Sequence, residues 1–209
     1  PNSDHLNGLI YIAGHFNVKQ AITNNESSPT MGKRLLVKTL KKNGIDTPEY
    51  RDLERTTTVA GTKIEILYPP EEFLEKPLHK KRRNKNNNSL VVKVSYGKHT
   101  FLFPGDLMSV GERALVAEAG ENLESTVLVS PHHGSASSST PLLIEKVNPE
   151  IVVVSCGWMN RFKFPAKSVL RRYETMGARV LRTDIHGAIL IRTDGHEMQI
   201  RTTRTKHQT

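Results

Sequence analysis

The order of short apolar strands, amphipathic helices and tight hairpins constrains the fold of this chain more than any other feature of its sequence. Buried strands are predicted over 126–130 and 151–155, and a helix follows each of them. Hairpin turns are predicted at Gly97-Lys98 and Asp194-Gly195, which a purely parallel sheet would not contain. The sequence therefore predicts an α/β sandwich with mixed sheets. The other predicted elements are helices at 5–16, 32–42, 107–119, 141–147 and 167–176, and strands at 21–23, 58–67 (a pair broken near Gly61), 89–96, 99–103, 179–181, 188–192 and 197–201.

Length, charge and cysteine content narrow the class of protein. At 209 residues the chain has the length of one domain, or at most of two small ones, and its 36% of hydrophobic residues argues against wholesale disorder. No run approaches the roughly 18 apolar residues of a membrane span. The single cysteine, Cys156, excludes an internal disulfide, so no disulfide partner is expected. The 30 basic and 21 acidic residues give a net charge of +9, which favours nucleic acid or acidic lipid as a partner.

Three stretches place carboxylates or imidazoles where a scaffold presents functional side chains. Asp4 and His5 lie at the start of the first predicted helix, and Asp106 follows a predicted strand. His132 and His133 directly follow a hydrophobic strand, where core packing does not explain them. Asp4 has an alternative role as a helix cap, and Asp106 as a turn residue. Together this donor set, which contains no thiolate, suits a hydrolytic centre of two Zn or Mn ions that would hold a phosphodiester for in-line displacement.

Hydroxyl-bearing residues follow the two histidines. The stretch 135–140 contains four serines and a threonine and leads into the next predicted helix, so that its hydroxyl and N–H groups would suit a phosphate. The alternative is a helix cap within a flexible turn. We expect substrate contacts at the following residues: Ser135, Ser137, Ser138, Asn160 and Arg161.

The stretch 1–9 looks like the tail of the metallo-β-lactamase signature His-x-x-x-Asp-His-x-x-Gly. Together with the stretches 87–92, 103–106, 131–135 and 182–189, it closely resembles the C-terminal domain of the ComEC DNA-uptake channel family. The resemblance covers nearly the whole chain. It implies a metallo-β-lactamase-like αββα sandwich with mixed sheets, and a metal-dependent nuclease that degrades the DNA strand not taken up. It also implies a soluble domain on the outer side of a bacterial inner membrane, joined to a membrane channel in the same parent chain.

The resemblance also implies roles for individual residues. Asp4, His5 and Asp106 match the metal ligands, and Asp106 matches the aspartate that bridges two divalent ions. Our mechanistic hypothesis adds that Asp4 would orient the attacking water while binding metal. His132 or His133 matches the later histidine ligand; we assign His132 to the metal and His133 to catalysis, as the group that contacts the phosphate or protonates the leaving oxygen.

Two departures from the family pattern bear on these expectations. The family has a histidine just before the position of Pro1, so we expect 1–209 to be a single domain that lacks its first strands and one ligand. The family usually has His-Pro where this chain has Phe164-Pro165, which would weaken activity.

The basic and aromatic residues have both functional and structural interpretations. A basic loop is predicted near 69–88, where the cations would guide a DNA backbone, single-stranded or read through its phosphates, or would simply be solvated. Trp158 would either stack on a base or pack in the core. The cations considered are Lys80, Lys81, Arg82, Arg83, Arg161, Lys163, Arg171 and Arg172. Two rival functions remain: a small-substrate hydrolase of the same fold, phosphodiesterase-like or lactonase-like, and a basic DNA-binding module without catalysis.

Overall fold

The computed structural model describes residues 3–70 and 84–204. The described residues form two compact units, the first from 3–54 and the second from 55–70 with 84–204. The single domain spanning 1–209 stays a prediction. Within the described ranges, no helix has both the length and the apolar character needed to cross a membrane.

The first unit contains two helices, α1 (Ser3–His15) and α2 (Met31–Lys42). Both were predicted, and α2 ends at the predicted Asn43-Gly44 stop. The helices share an apolar core, which consists of Leu6, Ala13, Leu36, Leu40 and Ile45. The strand predicted at 21–23 is wrong. Only an isolated bridge pairs Gln20 with Asp46, because the polar run that follows Thr23 offers nothing to bury in a longer strand.

The second unit is built on a mixed sheet of seven described strands in sequential order. The strands are β1 (Thr56–Val59), β2 (Thr62–Tyr68), β3 (Val91–Tyr96), β4 (His99–Phe103), β5 (Val127–Val129), β6 (Ile151–Val154) and β7 (Arg179–Arg182). Neighbours from β1 to β4 are antiparallel, and neighbours from β4 to β7 are parallel. A separate antiparallel hairpin consists of β8 (Ile189–Thr193) and β9 (Met198–Thr202). The helices of this unit are α3 (Ser109–Ala119), α4 (Pro141–Val147), α5 (Lys167–Thr175) and the single turn α6 (Thr183–His186).

The large sheet is covered on both faces. On one face, Val127 of β5 and Ile151 of β6 pack with apolar side chains of the β8–β9 hairpin, including Ile191. The next residues along these strands, Leu128 and Val152, point the other way and are fully buried. The helices α3, α4 and α5 of this unit also contribute buried side chains: Leu115, Leu143, Ile144, Val169 and Tyr173. The predicted mixed α/β architecture is confirmed.

The parallel half of the sheet determines where the candidate site lies. Because β4 to β7 run in the same direction, the loops after their carboxyl ends emerge at one edge of the sheet. Asp106 follows β4, the two histidines follow β5, and Ser155 follows β6. The candidate residues of the second unit are therefore brought to a common edge by strand order.

Candidate metal centre

Asp106 is a buried carboxylate at the end of a tight turn. Gly105 before it has φ +57°, a left-handed conformation that the absence of a Cβ permits. The Asp106 backbone N–H donates to Ser89 Oγ (3.2 Å), and Ser89 Oγ donates to the Asn86 carbonyl (2.8 Å). Only 7% of Asp106 is exposed. The turn interpretation of Asp106 is thus correct for its backbone. These turn contacts use the backbone N–H and not the carboxylate.

The histidine turn, Pro131–Gly134, has an uncommon backbone. His132 and His133 have φ +48° and +57°, which non-glycine residues adopt rarely and often at functional sites. The His132 N–H donates to the Gly105 carbonyl (3.0 Å), so this turn is tied to the Asp106 turn. The two successive left-handed residues send their imidazoles to different neighbours.

The His133 ring is aimed at Asp106. Its Nδ1 lies 2.8 Å from the Ser155 carbonyl, and because a carbonyl only accepts, Nδ1 carries the donated proton. Its other ring nitrogen, Nε2, lies 3.5 Å from Asp106 Oδ1. An imidazole nitrogen and a carboxylate oxygen placed this close can share a proton or bind the same divalent ion. An imidazole fixed through its other nitrogen by a backbone carbonyl is typical of a metal ligand, so this donor pair fits a divalent ion.

His132 has different neighbours. Its Nε2 lies 3.4 Å from Asn86 Nδ2, and its ring meets Phe164 edge to face, with the ring centroids 5.8 Å apart. Phe164, which stands where the resembled family usually has the histidine of a His-Pro pair, thus contacts His132. The ligand role predicted for His132 stays a prediction.

Asp4 and His5 lie in the first turn of α1 in the first unit. Asp4 Oδ2 is 3.7 Å from His5 Nε2, and both side chains are exposed. Asp4 lies inside the helix and not at its cap, which argues against the capping alternative. Within the first unit Asp4 and His5 each offer a donor atom suitable for a metal ion, and within the second unit Asp106 and His133 each do so.

The stretch 135–140, called the serine turn below, uses several of its hydroxyls for hydrogen bonds within the fold. Ser138 is fully buried, and its hydroxyl lies 2.9 Å from both the Pro131 and Ser135 carbonyls. This burial argues against the predicted phosphate contact of Ser138. The Ser135 and Ser137 hydroxyls bond to each other (2.9 Å), and the cap of α4 is Thr140.

Glu112 on α3 was missed by sequence reasoning, because a lone glutamate in an amphipathic helix carries no distinguishing pattern. It is fully buried and accepts the backbone N–H groups of Ser139 and Thr140. Burial raises its pKa, although these hydrogen bonds and the Arg172 charge oppose the rise. Arg172 Nη1 donates to the Ser138 carbonyl (3.1 Å), so this cation supports the serine turn from α5.

The loop 157–164 follows β6 and contains two predicted contact residues. Asn160 is turned inward: its Nδ2 donates to the Gly157 and Phe164 carbonyls (3.0 and 2.7 Å), so it shapes the loop. The Arg161 guanidinium lies over the Phe162 ring, 4.7 Å from its centroid. Trp158 is 75% exposed, so its core-packing interpretation is wrong. The cations predicted at 80–83 lie outside the described residues.

Comparison with known proteins identifies the family. Residues 1–158 match the model of the metallo-beta-lactamase superfamily. The chain belongs to this superfamily. Its sequence is 42% identical over 118 residues to Competence protein ComA of Neisseria gonorrhoeae, which covers 56% of this chain and 17% of that protein. It is 36% identical over 109 residues to ComE operon protein 3 of Bacillus subtilis, which covers 52% of this chain and 14% of that protein.

These comparisons confirm the resemblance inferred from the motifs. The chain spans less than a fifth of the length of either competence protein. The solved structure of CmlA, a diiron beta-hydroxylase from Streptomyces venezuelae, superposes with a TM-score of 0.52 at 14% identity, over 87% of this chain and 42% of that one. A likeness at this level of identity shows a shared fold alone. Membership of the superfamily indicates a metal-dependent hydrolase as the broad class.

Proposed function

We propose that this chain is a metal-dependent nuclease that hydrolyses DNA phosphodiester bonds. The observation that carries the proposal is the pair of His133 Nε2 and Asp106 Oδ1, 3.5 Å apart at the carboxyl edge of the sheet. The His133 ring is fixed by the Ser155 carbonyl in the orientation that a metal ligand needs. The competence proteins among its relatives and the net charge of +9 favour a polyanionic substrate.

The proposed ligands are Asp4, His5, Asp106 and His133. Zn or Mn ions, when bound, would supply Lewis acidity toward the scissile phosphate and lower the pKa of a water. Asp106 would offer its carboxylate oxygens to the ions, and Asp4 would orient the attacking water. This assignment moves the ligand role from His132 to His133, because Ser155 orients the latter.

His132 is then the histidine left for the substrate. Its imidazole is held between Asn86 and Phe164 and would contact the phosphate or protonate the leaving oxygen. Ser135 and Ser137 are the hydroxyls proposed for the flanking phosphate.

The biological setting is part of the same proposal. The chain would degrade the strand that is not taken up during natural transformation, on the outer side of a bacterial inner membrane and joined to a channel portion of its parent chain. The competence proteins that it resembles support this setting.

The test compares cleavage of labelled DNA by wild type and by Asp106→Asn, with Mn or Zn added. Losing the anionic ligand should lower the rate at least about 100-fold, because a metal supplies several kcal/mol of transition-state stabilisation. Asp52→Asn, an exposed carboxylate of the first unit, is the matched control and should cleave like wild type. Equal activity of Asp106→Asn and wild type would refute the assignment.

Two other outcomes would favour the rival functions. Hydrolysis of bis(p-nitrophenyl) phosphate or of a lactone, with DNA left intact, would indicate a small-substrate hydrolase. DNA binding without uptake of Mn or Zn in a calorimetric titration would indicate a non-catalytic binding module.

A further inference from the structure

The loop 157–164, called the aromatic loop below, exposes apolar side chains to solvent. Trp158, Met159 and Phe162 are 75%, 79% and 60% exposed. Large apolar side chains that cluster on the surface typically mark a binding surface. The aromatic loop emerges from the carboxyl end of β6, the strand whose Ser155 carbonyl holds His133.

The aromatic loop is held in one shape. The Asn160 amide donates to the carbonyls of Gly157 and Phe164, and its Oδ1 accepts the Phe164 N–H (2.9 Å). The Lys163 N–H donates to the Asn160 carbonyl (3.0 Å). A surface that is already ordered loses little conformational entropy when a ligand binds.

A row of rings connects the aromatic loop to the histidine turn. Phe162 stacks on Phe164 with their centroids 5.4 Å apart and an interplanar angle of 18°. Phe164 in turn meets His132 edge to face at 5.8 Å. The Ala166 N–H donates to the Gly134 carbonyl (2.9 Å), which ties the two segments together. A base that stacks on Phe162 would therefore be connected to His132 through the rings of Phe162 and Phe164.

The charge of the aromatic loop selects the kind of ligand. It contains Arg161 and Lys163, both exposed, and no acidic residue. The guanidinium of Arg161 already lies over Phe162, which combines a cation with a stacking face. Exposed aromatic rings beside cations are the combination that binds single-stranded nucleic acid, in which rings stack on bases and cations contact phosphates.

We propose that the aromatic loop is a stacking platform for unpaired bases of a single-stranded nucleic acid. Trp158 and Phe162 would stack on bases, and Arg161 and Lys163 would contact the phosphates between them. The inference rests on the proposed nuclease function and specifies its substrate as a single strand that runs past His132. A duplex, whose bases stack on each other, offers the platform no free base face.

The test uses Trp158 as its own reporter, because it is the sole tryptophan of the chain. A thymidine oligonucleotide of about 15 nucleotides is titrated into metal-free protein, and tryptophan fluorescence is recorded. The matched ligand is an abasic strand of equal length, which keeps every phosphate and removes the bases. We expect quenching by the oligonucleotide and about tenfold weaker binding of the abasic strand.

Variants separate stacking from general apolar contact. Phe162→Leu, followed by tryptophan fluorescence, and Trp158→Leu, followed by the anisotropy of a labelled oligonucleotide, should each bind about tenfold more weakly. Trp158→Phe keeps a ring and should retain most of the affinity. The control is Tyr96→Leu, which replaces an exposed aromatic residue at the end of β3, beside the turn at the opposite end of β4 from Asp106, and should bind like wild type. Circular dichroism melting checks that each variant is folded.

Several results would overturn the platform. These are equal binding of the abasic strand, equal binding of duplex, unchanged binding by both leucine variants, or a fluorescence change with phosphatidylglycerol vesicles but none with oligonucleotide. The two proposals fail separately. If the protein cleaves DNA and the leucine variants bind like wild type, the platform is refuted and the nuclease proposal stands. If bases quench the fluorescence but no DNA is cleaved in Mn or Zn, the nuclease proposal is refuted and the platform stands.

Discussion

At the scale of single residues, the environment of Cys156 shows how a partner decides a side chain's chemistry. Its thiol donates to Asp184 Oδ1 (3.2 Å), and Asp184 in turn accepts two hydrogen bonds from the Arg182 guanidinium. Burial, followed by the hydrogen bond and charge of Asp184, raises the pKa of Cys156 to about 11. The thiol is therefore neutral near pH 7 and serves as a hydrogen-bond donor.

This environment predicts slow thiol modification. Because the thiolate is the reactive form, Cys156 at pH 8 should react with iodoacetamide roughly 100-fold or more slowly than a free cysteine, and its rate should rise about tenfold per pH unit below its pKa. Asp184→Asn removes the charge that raises the pKa and should accelerate the reaction several-fold.

Mass spectrometry of timed samples measures this rate. The unfolded chain in urea is the control and should react like a free cysteine. A wild-type rate equal to that of the unfolded chain would contradict the assigned hydrogen bond.

At the scale of elements, Gly134 joins the histidine turn to the segment before α5. Its φ is +77°, and a Cβ added to it would lie 2.6 Å from Pro165 Cβ. The Gly134 carbonyl also accepts the Ala166 N–H. The position of the histidines relative to Phe164 thus depends on a residue without a side chain.

Gly134→Ala should be more destabilising than the backbone conformation alone explains. We expect a loss of roughly 2–4 kcal/mol in the free energy of unfolding, from the left-handed φ together with the contact with Pro165. Gly177→Ala is the matched control, because Gly177 has the same φ of +77° and a Cβ added there would meet nothing within 4 Å. It should lose only about 1–2 kcal/mol. Urea denaturation of both variants measures the difference, and equal losses would show that the contact with Pro165 is unimportant.

At the scale of the whole molecule, the net charge of +9 acts over long distances, but a ligand contacts only some of the cations. Arg172 illustrates the distinction, since its guanidinium donates to the Ser138 and Ser139 carbonyls inside the fold. Arg161 and Lys163 are exposed on the aromatic loop. Total charge therefore overstates the number of phosphate contacts.

The salt dependence of binding counts these contacts. For a single strand, the slope of log K against log salt changes by about 0.7 per phosphate contact, so the double variant Arg161→Gln/Lys163→Gln should reduce its magnitude by about 1.4. Arg179→Gln/Arg201→Gln removes the same charge from exposed positions on β7 and β9 and should leave the slope near that of wild type. Fluorescence anisotropy over a range of KCl concentrations measures both. Equal changes in the two double variants would mean that overall charge, and not the aromatic loop, determines the contacts.

Much of the fold followed from local patterns. The helix at 141–147 and the hairpin strand at 99–103 were predicted at their observed bounds, because the periodicity and turn residues are local signals. The strand at 21–23 failed because three residues cannot specify pairing without a neighbour to bury against. The exposure of Trp158 could not be predicted, since it depends on a loop shape that Asn160 imposes.

By itself the sequence determined the order of strands and helices and the chemical types of the candidate ligands, because both depend on residues close together in the chain. Only the tertiary structure decided which histidine faces Asp106 and which serine is buried. The direction of the His133 ring depends on its left-handed backbone and on the carbonyl of Ser155. Ser155 is 22 residues later in the chain and directly follows the neighbouring strand, β6. Such contacts form only when parallel strands bring their carboxyl ends to one edge of the sheet, and no local pattern encodes them.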